Sequence, residues 1–339
     1  MADATEVPDL RELSPYEQQA WHDIQRWKAS PSSRRWPGVA RVRSTARRVG
    51  RGAAERWNDL PGTEHVGAAV QTALNGGQQA LADAVAASLQ RERILDAVRR
   101  AGGDVGALSD LRGLDLRVLD EACPPLKVRY AAASATSGAC SGLVAGGGTA
   151  AVLGTAGVAA APSGVAVACA LGADVTATLA LAARVVAHYG GHYGYDARLD
   201  TERAVLLAVI GAGMVGPGAS KELAMLHVRQ VSMMVARRAA WKELGEETIV
   251  KLIQALFAKL SVNLTKRKLG QALLVAGVAL GAGFNYGMIR KVGEAASYAY
   301  RERFLVDKYG LDDGVDAPAD PGVLELGELA FDHGAAERS

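Results

Sequence analysis

Between Arg129 and Asp174 the chain runs for 44 residues without a charge; 32 of them are Ala, Gly, Ser or Thr and only eight are Leu or Val. Small side chains let helix backbones approach closely, so this segment predicts tightly apposed helices. Pro162-Ser163-Gly164 divides it into the two helices of a hairpin, the second running to about His188. Ser134, Gly138, Gly142, Gly146, Ala150 and Gly154 recur every fourth residue, although a segment of this composition produces such a row unaided. A membrane-crossing helix needs about 20 residues rich in Leu, Ile, Phe or Val. The run is long enough but poor in those types, which favours a soluble or peripheral body over an integral membrane protein.

Elsewhere the punctuation is also helical. Ser14-Pro15-Tyr16-Glu17 is a capping box with Pro at the first helical position, and Tyr16, Ala20, Ile24 and Trp27 follow on one face. Residues 64–101 read as helices interrupted at Gly76-Gly77, followed by a polar connection to Asp120 and a break at Pro124-Pro125. Glu246-Glu247 opens a further amphipathic helix, and another runs from about Phe284 to Tyr309 with Asn285, Met288, Val292, Ala299 and Arg303 on one stripe. The expected fold is an all-α multi-helix bundle around a Gly/Ala-rich hairpin. It spans residues 14–310, between a disordered N-terminus (1–13) and an acidic disordered tail (311–339).

The net charge of +2 argues against a nucleic-acid partner but hides an asymmetry. Arg34 to Arg56 holds eight arginines and one acid, whereas the chain from Leu311 onward holds eight acids and one arginine. Arg34, Arg35, Arg41, Arg43, Arg47, Arg48 and Arg51, with Trp36 and Trp57, have the composition of an interfacial anchor: guanidiniums for anionic lipid, indoles for headgroup depth. A solvated basic helix packing its Val and Trp onto the protein is the plainer reading. Cys123, Cys140 and Cys169 lack metal-ligand or disulfide spacing, which suits a reducing cytoplasm.

Three groups of residues resemble a known family. They are Leu13-Ser14-Pro15-Tyr16-Glu17 leading to Trp27-Lys28; Gly172-Ala173-Asp174 with Tyr189-Gly190 and Gly194-Tyr195-Asp196; and Gly281 to Asn285-Tyr286, followed by Val292-Gly293-Glu294-Ala295-Ala296, Tyr300 and Arg301-Glu302-Arg303-Phe304-Leu305. In order and spacing they resemble the EcsC family of bacterial proteins over roughly residues 14 to 310. Gly191-His192-Tyr193 looks like a local insertion into that pattern. The resemblance implies a helical protein linked to membrane processes, since the family is named for a gene beside an ABC transporter. It supplies no catalytic residues.

Candidate sites follow, each with a plainer reading. Val205 to Gly216 contains GxGxxG after an apolar run, but residues 223–242 read as a helix where a dinucleotide fold needs a strand ending in an acid. No cofactor is expected. His188, His192 and Asp196 stand four apart, yet Gly190, Gly191 and Gly194 favour loop histidines over a metal site. Asp174 is the only charge between Arg129 and Arg184. Buried, it requires a partner, with Asn285, Arg203 and Arg303 as candidates, and a structural lock is favoured over a ligand site. Tyr195, Asp196, Asn285, Tyr286, Arg301 and Arg303 complete the set of buried polar or ligand candidates. The expected function is membrane association or lipid interaction at the inner face of the cytoplasmic membrane, with lipid or a membrane protein as partner. An enzyme with a site around Asp174, Tyr195 and Asp196, or a plain interaction scaffold, are the alternatives.

Overall fold

The computed structural model describes residues 12–31, 81–87, 89–134, 164–215, 220–236 and 277–311. Of these, 81% are helical and none forms a strand, as the all-α expectation requires. The described helices are α1 (Pro15–Ala29), α2 (81–87), α3 (Arg91–Arg100), α4 (Leu116–Ala122), α5 (126–134), α6 (Gly164–His192), α7 (Asp200–Gly213), α8 (Lys221–Ala236) and α9 (Gly277–Tyr309). The expected polar connection before Asp120 is instead a 3-10 turn, Leu108–Gly113, leading into α4. Asp110 Oδ2 accepts from the Gly106 and Ala107 amides, and the Asp115 side chain caps α4 through the Arg117 amide. The first helix of the expected hairpin beyond residue 134, the helix after Glu246-Glu247 and the Arg34–Trp57 segment lie outside the described residues.

Helix α9 is the axis of the body. It packs along α6 and α7, and α1 and α8 close its remaining sides. The stripe read from sequence is buried as expected: Asn285, Met288, Val292, Ala299 and Arg303 are between 0% and 8% exposed. Leu13 and Leu311, just outside the expected body, also join the core.

Two glycines show how the helices close on one another. A Cβ on Gly213 would stand 2.5 Å from Val292 Cα, so α7 and α9 touch backbone to backbone. This explains the glycines of the apparent dinucleotide fingerprint: Gly211 and Gly213 lie in the last turn of a helix. Gly194, at φ +86°, ends α6 in a Schellman turn, with the Tyr195 amide on the Gly190 carbonyl and the Gly194 amide on the Gly191 carbonyl.

Polar ties complete the closure. Glu17, fully buried, forms the capping box with Ser14 and also accepts from Tyr309 OH (2.6 Å), Lys308 Nζ (2.9 Å) and the Leu116 amide (3.3 Å). One carboxylate thus joins α1, α4 and the end of α9. At the other end of α1, Trp27 stacks on Tyr298 with ring centroids 4.5 Å apart and donates Nε1 to Glu294, while Lys28 pairs with Glu302 at 2.7 Å. Burial raises the Glu17 carboxyl, but the bonds from Tyr309, Lys308 and Ser14 prevail and hold it below the usual carboxylate range.

Two outcomes follow. Gly213→Val forces α7 from α9 and costs about 1–3 kcal/mol; an unchanged urea midpoint would show that the two backbones are not in contact. Glu17→Gln removes charge-assisted bonds worth about 2–3 kcal/mol at pH 7. Because the folded carboxyl is depressed, its contribution is complete above the unfolded value of about 4.3 and fades as pH falls through the folded value. Urea titrations at pH 7 and pH 3.5 should therefore show a smaller acid loss in the variant; equal losses would remove Glu17 from this role.

Candidate functional site

The described residues among those singled out from sequence do not converge on one place. Arg301 and Arg303, two apart on α9, point about 200° apart. Arg301 Nε donates to Asp120 Oδ1 at 3.0 Å and Tyr193 OH at 3.3 Å, with NH2 2.9 Å from Asp120 Oδ2. Tyr193 and Tyr16 also donate to Asp120, at 2.7 and 2.8 Å, so this carboxylate gathers α1, α4, α6 and α9. Burial, followed by the Asp120 charge, pushes the Tyr16 phenol and the neighbouring free Cys123 thiol up to about 12, leaving that thiol protonated. Tyr193, within the apparent insertion, is fully buried.

Arg303 faces α7. Its NH1 and NH2 meet Glu202 Oε2 and Oε1 at 2.5 and 2.8 Å, a buried bidentate pair. Its guanidinium lies 4.0 Å from the Tyr195 ring centroid, and Tyr195 OH donates to Asp307 Oδ2 at 2.7 Å. The two halves of the Tyr195-Asp196 motif therefore part. Asp196 turns outward to Arg198 and Arg91, which hold its carboxyl well below the usual range against the opposing effect of burial. A catalytic pair of Tyr195 with Asp196 does not fit this geometry.

Two of the three partners expected for Asp174 are engaged elsewhere: Arg303 with Glu202, and Arg203 with Asp200 at 2.8 Å. The Asp174 side chain itself lies outside the described residues. Asn285 is buried and Tyr286 half-buried near the start of α9, and Asn285 is about 27 Å along the axis from Arg303. Arg34, Arg35, Trp36, Arg41, Arg43, Arg47, Arg48, Arg51 and Trp57 lie outside the described residues.

The histidine reading needs correction. Helix α6 continues through Gly190 and Gly191 to His192, so His188 and His192 share a helical face with rings 5.0 Å apart. Glycine fits at both positions because Cβ atoms there would press on the Tyr300 ring and on Leu89 and Ile94. His192 Nδ1 donates to the His188 carbonyl at 2.9 Å, and His188 Nδ1 lies 3.2 Å from Tyr130 OH. Burial, with His192, Arg129 and Arg184 nearby, takes His188 down to about 4, so it is neutral at pH 7. Among the described residues no group of three or more His, Cys, Asp or Glu is placed to hold a metal ion.

What remains as a candidate site is a cleft of about 200 Å³ between α8 and α9, beside the Glu202–Arg303 pair. Met225, Val228, Met233, Ala299 and Val306 form its apolar wall, and Arg229, Arg303 and Asp307 add polar groups. Sequence reasoning found Arg303 through its stripe and read residues 223–242 as a helix where α8 stands, but missed Glu202 and Asp307. Glu202 had left one signal, an acid in the first turn of an otherwise apolar helix. Glu202 is bidentate on Arg303, and Asp307 accepts from Tyr195 OH, so each of these charges is held by a partner from another part of the chain.

The pair also makes a test of the fold. Glu202→Gln leaves Arg303 buried without its counter-charge and should cost about 3–5 kcal/mol, most of it recovered in Glu202→Leu/Arg303→Met. A loss below about 1 kcal/mol in denaturant titration would mean that the pair behaves as a solvated surface contact.

Among the described residues no helix is long and apolar enough to cross a membrane. No curated protein and no solved structure matches the chain. Residues 148–305 match the EcsC protein family, a segment holding the second and third groups of the resemblance together with α6, α7, α8 and most of α9. Residues 148–305 are an EcsC family segment.

Proposed function

We propose that the protein is a helical body that attaches peripherally to an anionic membrane surface through residues 34–57. The observation that carries this reading is the charge of the segment: eight arginines against one acid between Arg34 and Arg56, with Trp36 within and Trp57 just beyond. Each basic residue near an anionic leaflet contributes about 1 kcal/mol, and interfacial tryptophans add an apolar component that salt does not screen.

The described part of the body gives this segment a fixed base. It follows α1 directly, and the end of α1 is fastened by Lys28–Glu302 and by Lys221, whose Nζ donates to Ser30 Oγ at 2.9 Å and lies 4.6 Å from the Trp27 ring centroid. An anchor on a docked helix transmits position to the whole body, as one on a loose leader would not. The ionisable groups that hold the body together have partners within it, so the reading is of a binding or scaffolding protein rather than an enzyme.

Vesicle flotation tests it. The full chain should float with phosphatidylglycerol-containing vesicles, remain behind with phosphatidylcholine alone, and lose binding as salt rises. Changing Arg41, Arg43, Arg47 and Arg48 to Gln should cost about 4 kcal/mol, roughly a thousandfold in partitioning. Equal flotation of the variant and the unchanged protein would end the proposal.

A further inference from the structure

The junction of α5, α6 and α9 carries positive charge that the described body does not answer. The three helices meet at Gly293, where a Cβ would stand 2.9 Å from Lys127 Cβ and 3.4 Å from Val185 Cγ2. Lys127 and Arg129 on α5, Arg184 on α6 and Arg290 on α9 surround that contact, Arg184 next to Val185 and Arg290 three residues before Gly293. The three arginines are exposed, and among the described residues none of the four cations pairs with a carboxylate. Arg184 is held in place by donating to Tyr130 OH, which lies 3.2 Å from His188 Nδ1. The charged groups acting on that phenol and on the His188 ring are Arg129 and Arg184, with His192 beside His188, and no acid is among them.

The neighbouring acids have other partners or stand too far off. Glu294, one turn beyond Arg290, accepts from Trp27 Nε1 at 3.1 Å and faces Lys221, near which Lys291 adds further positive charge. Asp120, near Tyr189, is bound by Arg301, Tyr193 and Tyr16. Asp174 is ten residues from Arg184, about 15 Å along α6, beyond the Debye length of about 8 Å. The four cations therefore repel one another, a cost to the fold that an outside anion would relieve.

The surroundings select the occupant. Helices α6 and α9 run parallel, since Gly190 meets Tyr300 where Gly293 meets Val185. Toward their N-termini, residues 175–183 and 277–289 carry no charge, so the cations border an uncharged part of the body. Val128, between Lys127 and Arg129, is 48% exposed. A phosphate layer over hydrocarbon matches both the cations and this apolar margin, whereas a soluble acidic partner matches the cations alone. The end of α1, from which the basic segment leaves, is tied to Glu294, the residue after Gly293, so one surface can reach both.

We propose that Lys127, Arg129, Arg184 and Arg290, around Val128, form a second contact with the phosphate layer of an anionic membrane and turn this face of the body toward the lipid. The inference rests on the membrane reading for the kind of surface and adds the face that meets it.

Arginine footprinting of the full chain with phenylglyoxal, read peptide by peptide by mass spectrometry, tests it. Phosphatidylglycerol-containing vesicles should slow modification of Arg129, Arg184 and Arg290 at least fivefold, and phosphatidylcholine vesicles should not. Arg117, exposed near the Lys308 end of α9, should react at one rate throughout. In flotation, Arg129→Gln/Arg184→Gln/Arg290→Gln should lower partitioning about a hundredfold, and Arg129→Lys/Arg184→Lys/Arg290→Lys should restore most of it. Flotation lost with the Gln changes at Arg41, Arg43, Arg47 and Arg48 but kept in this Gln variant would overturn the inference and leave the membrane reading standing. The reverse result would move the anchor to this face and end the reading through residues 34–57. Unprotected arginines, or equal protection by glycerol phosphate in solution, would also overturn the inference.

Discussion

The carboxylate of Glu17 is removed from water and must be paid for by donors from elsewhere in the chain, and meeting that requirement organises the body. A buried carboxylate costs several kcal/mol unless its lone pairs are satisfied. Here the donors come from Ser14, Leu116, Lys308 and Tyr309, so the cost is met only when α1, α4 and the end of α9 are all in place. The same logic recurs at Asp120, gathering Tyr16, Tyr193 and Arg301, and at Glu202, gathering Arg303. Such groups add less to net stability than their geometry suggests, because an apolar replacement of similar shape is often as stable. Their contribution is uniqueness: each has one arrangement in which no charge is stranded.

Uniqueness is needed because the apolar packing is built from small side chains. Ala182, Ala183, Ala187, Ala204, Ala208, Ala295, Ala296 and Ala299 are buried, and the contacts of Gly213 on Val292 and Gly293 on Lys127 bring helices within backbone reach. Smooth helix surfaces slide past one another more readily than surfaces interlocked by large side chains. Helix α9 carries both solutions. Its small residues let α6 and α7 approach, and its charged residues fix which turn meets which.

Sequence revealed what is local and concealed what is long-range. The capping box at Ser14 and Glu17 was legible because its partners lie three residues apart. The buried stripe of α9 was legible because helical periodicity writes it directly. That Glu17 also reaches Lys308 and Tyr309, nearly the whole chain away, leaves no local trace. The helical state of His188 and His192 was misjudged because two glycines weaken a helix by about 1 kcal/mol each. Packing under Tyr300 and against Leu89 and Ile94 outweighs that preference. Arg303 entered the sequence reading as one candidate partner for Asp174, which draws attention because it stands alone in an apolar run. Glu202 was overlooked among the neighbouring charges Asp200 and Arg203, although the helix turns it inward while they pair at the surface.

The near-neutral total charge is a poor guide to how such a body meets a surface, because its two charged stretches join the body at separate points. The basic stretch follows Ser30, held by Lys221, and the acidic stretch follows Leu311, whose carbonyl accepts from Arg229 NH2 at 2.9 Å. Lys221 and Arg229 belong to the same helix, eight residues or about 12 Å apart. That distance exceeds the Debye length of about 8 Å at physiological ionic strength. The points at which the two stretches leave the described body are therefore largely screened from one another at that ionic strength.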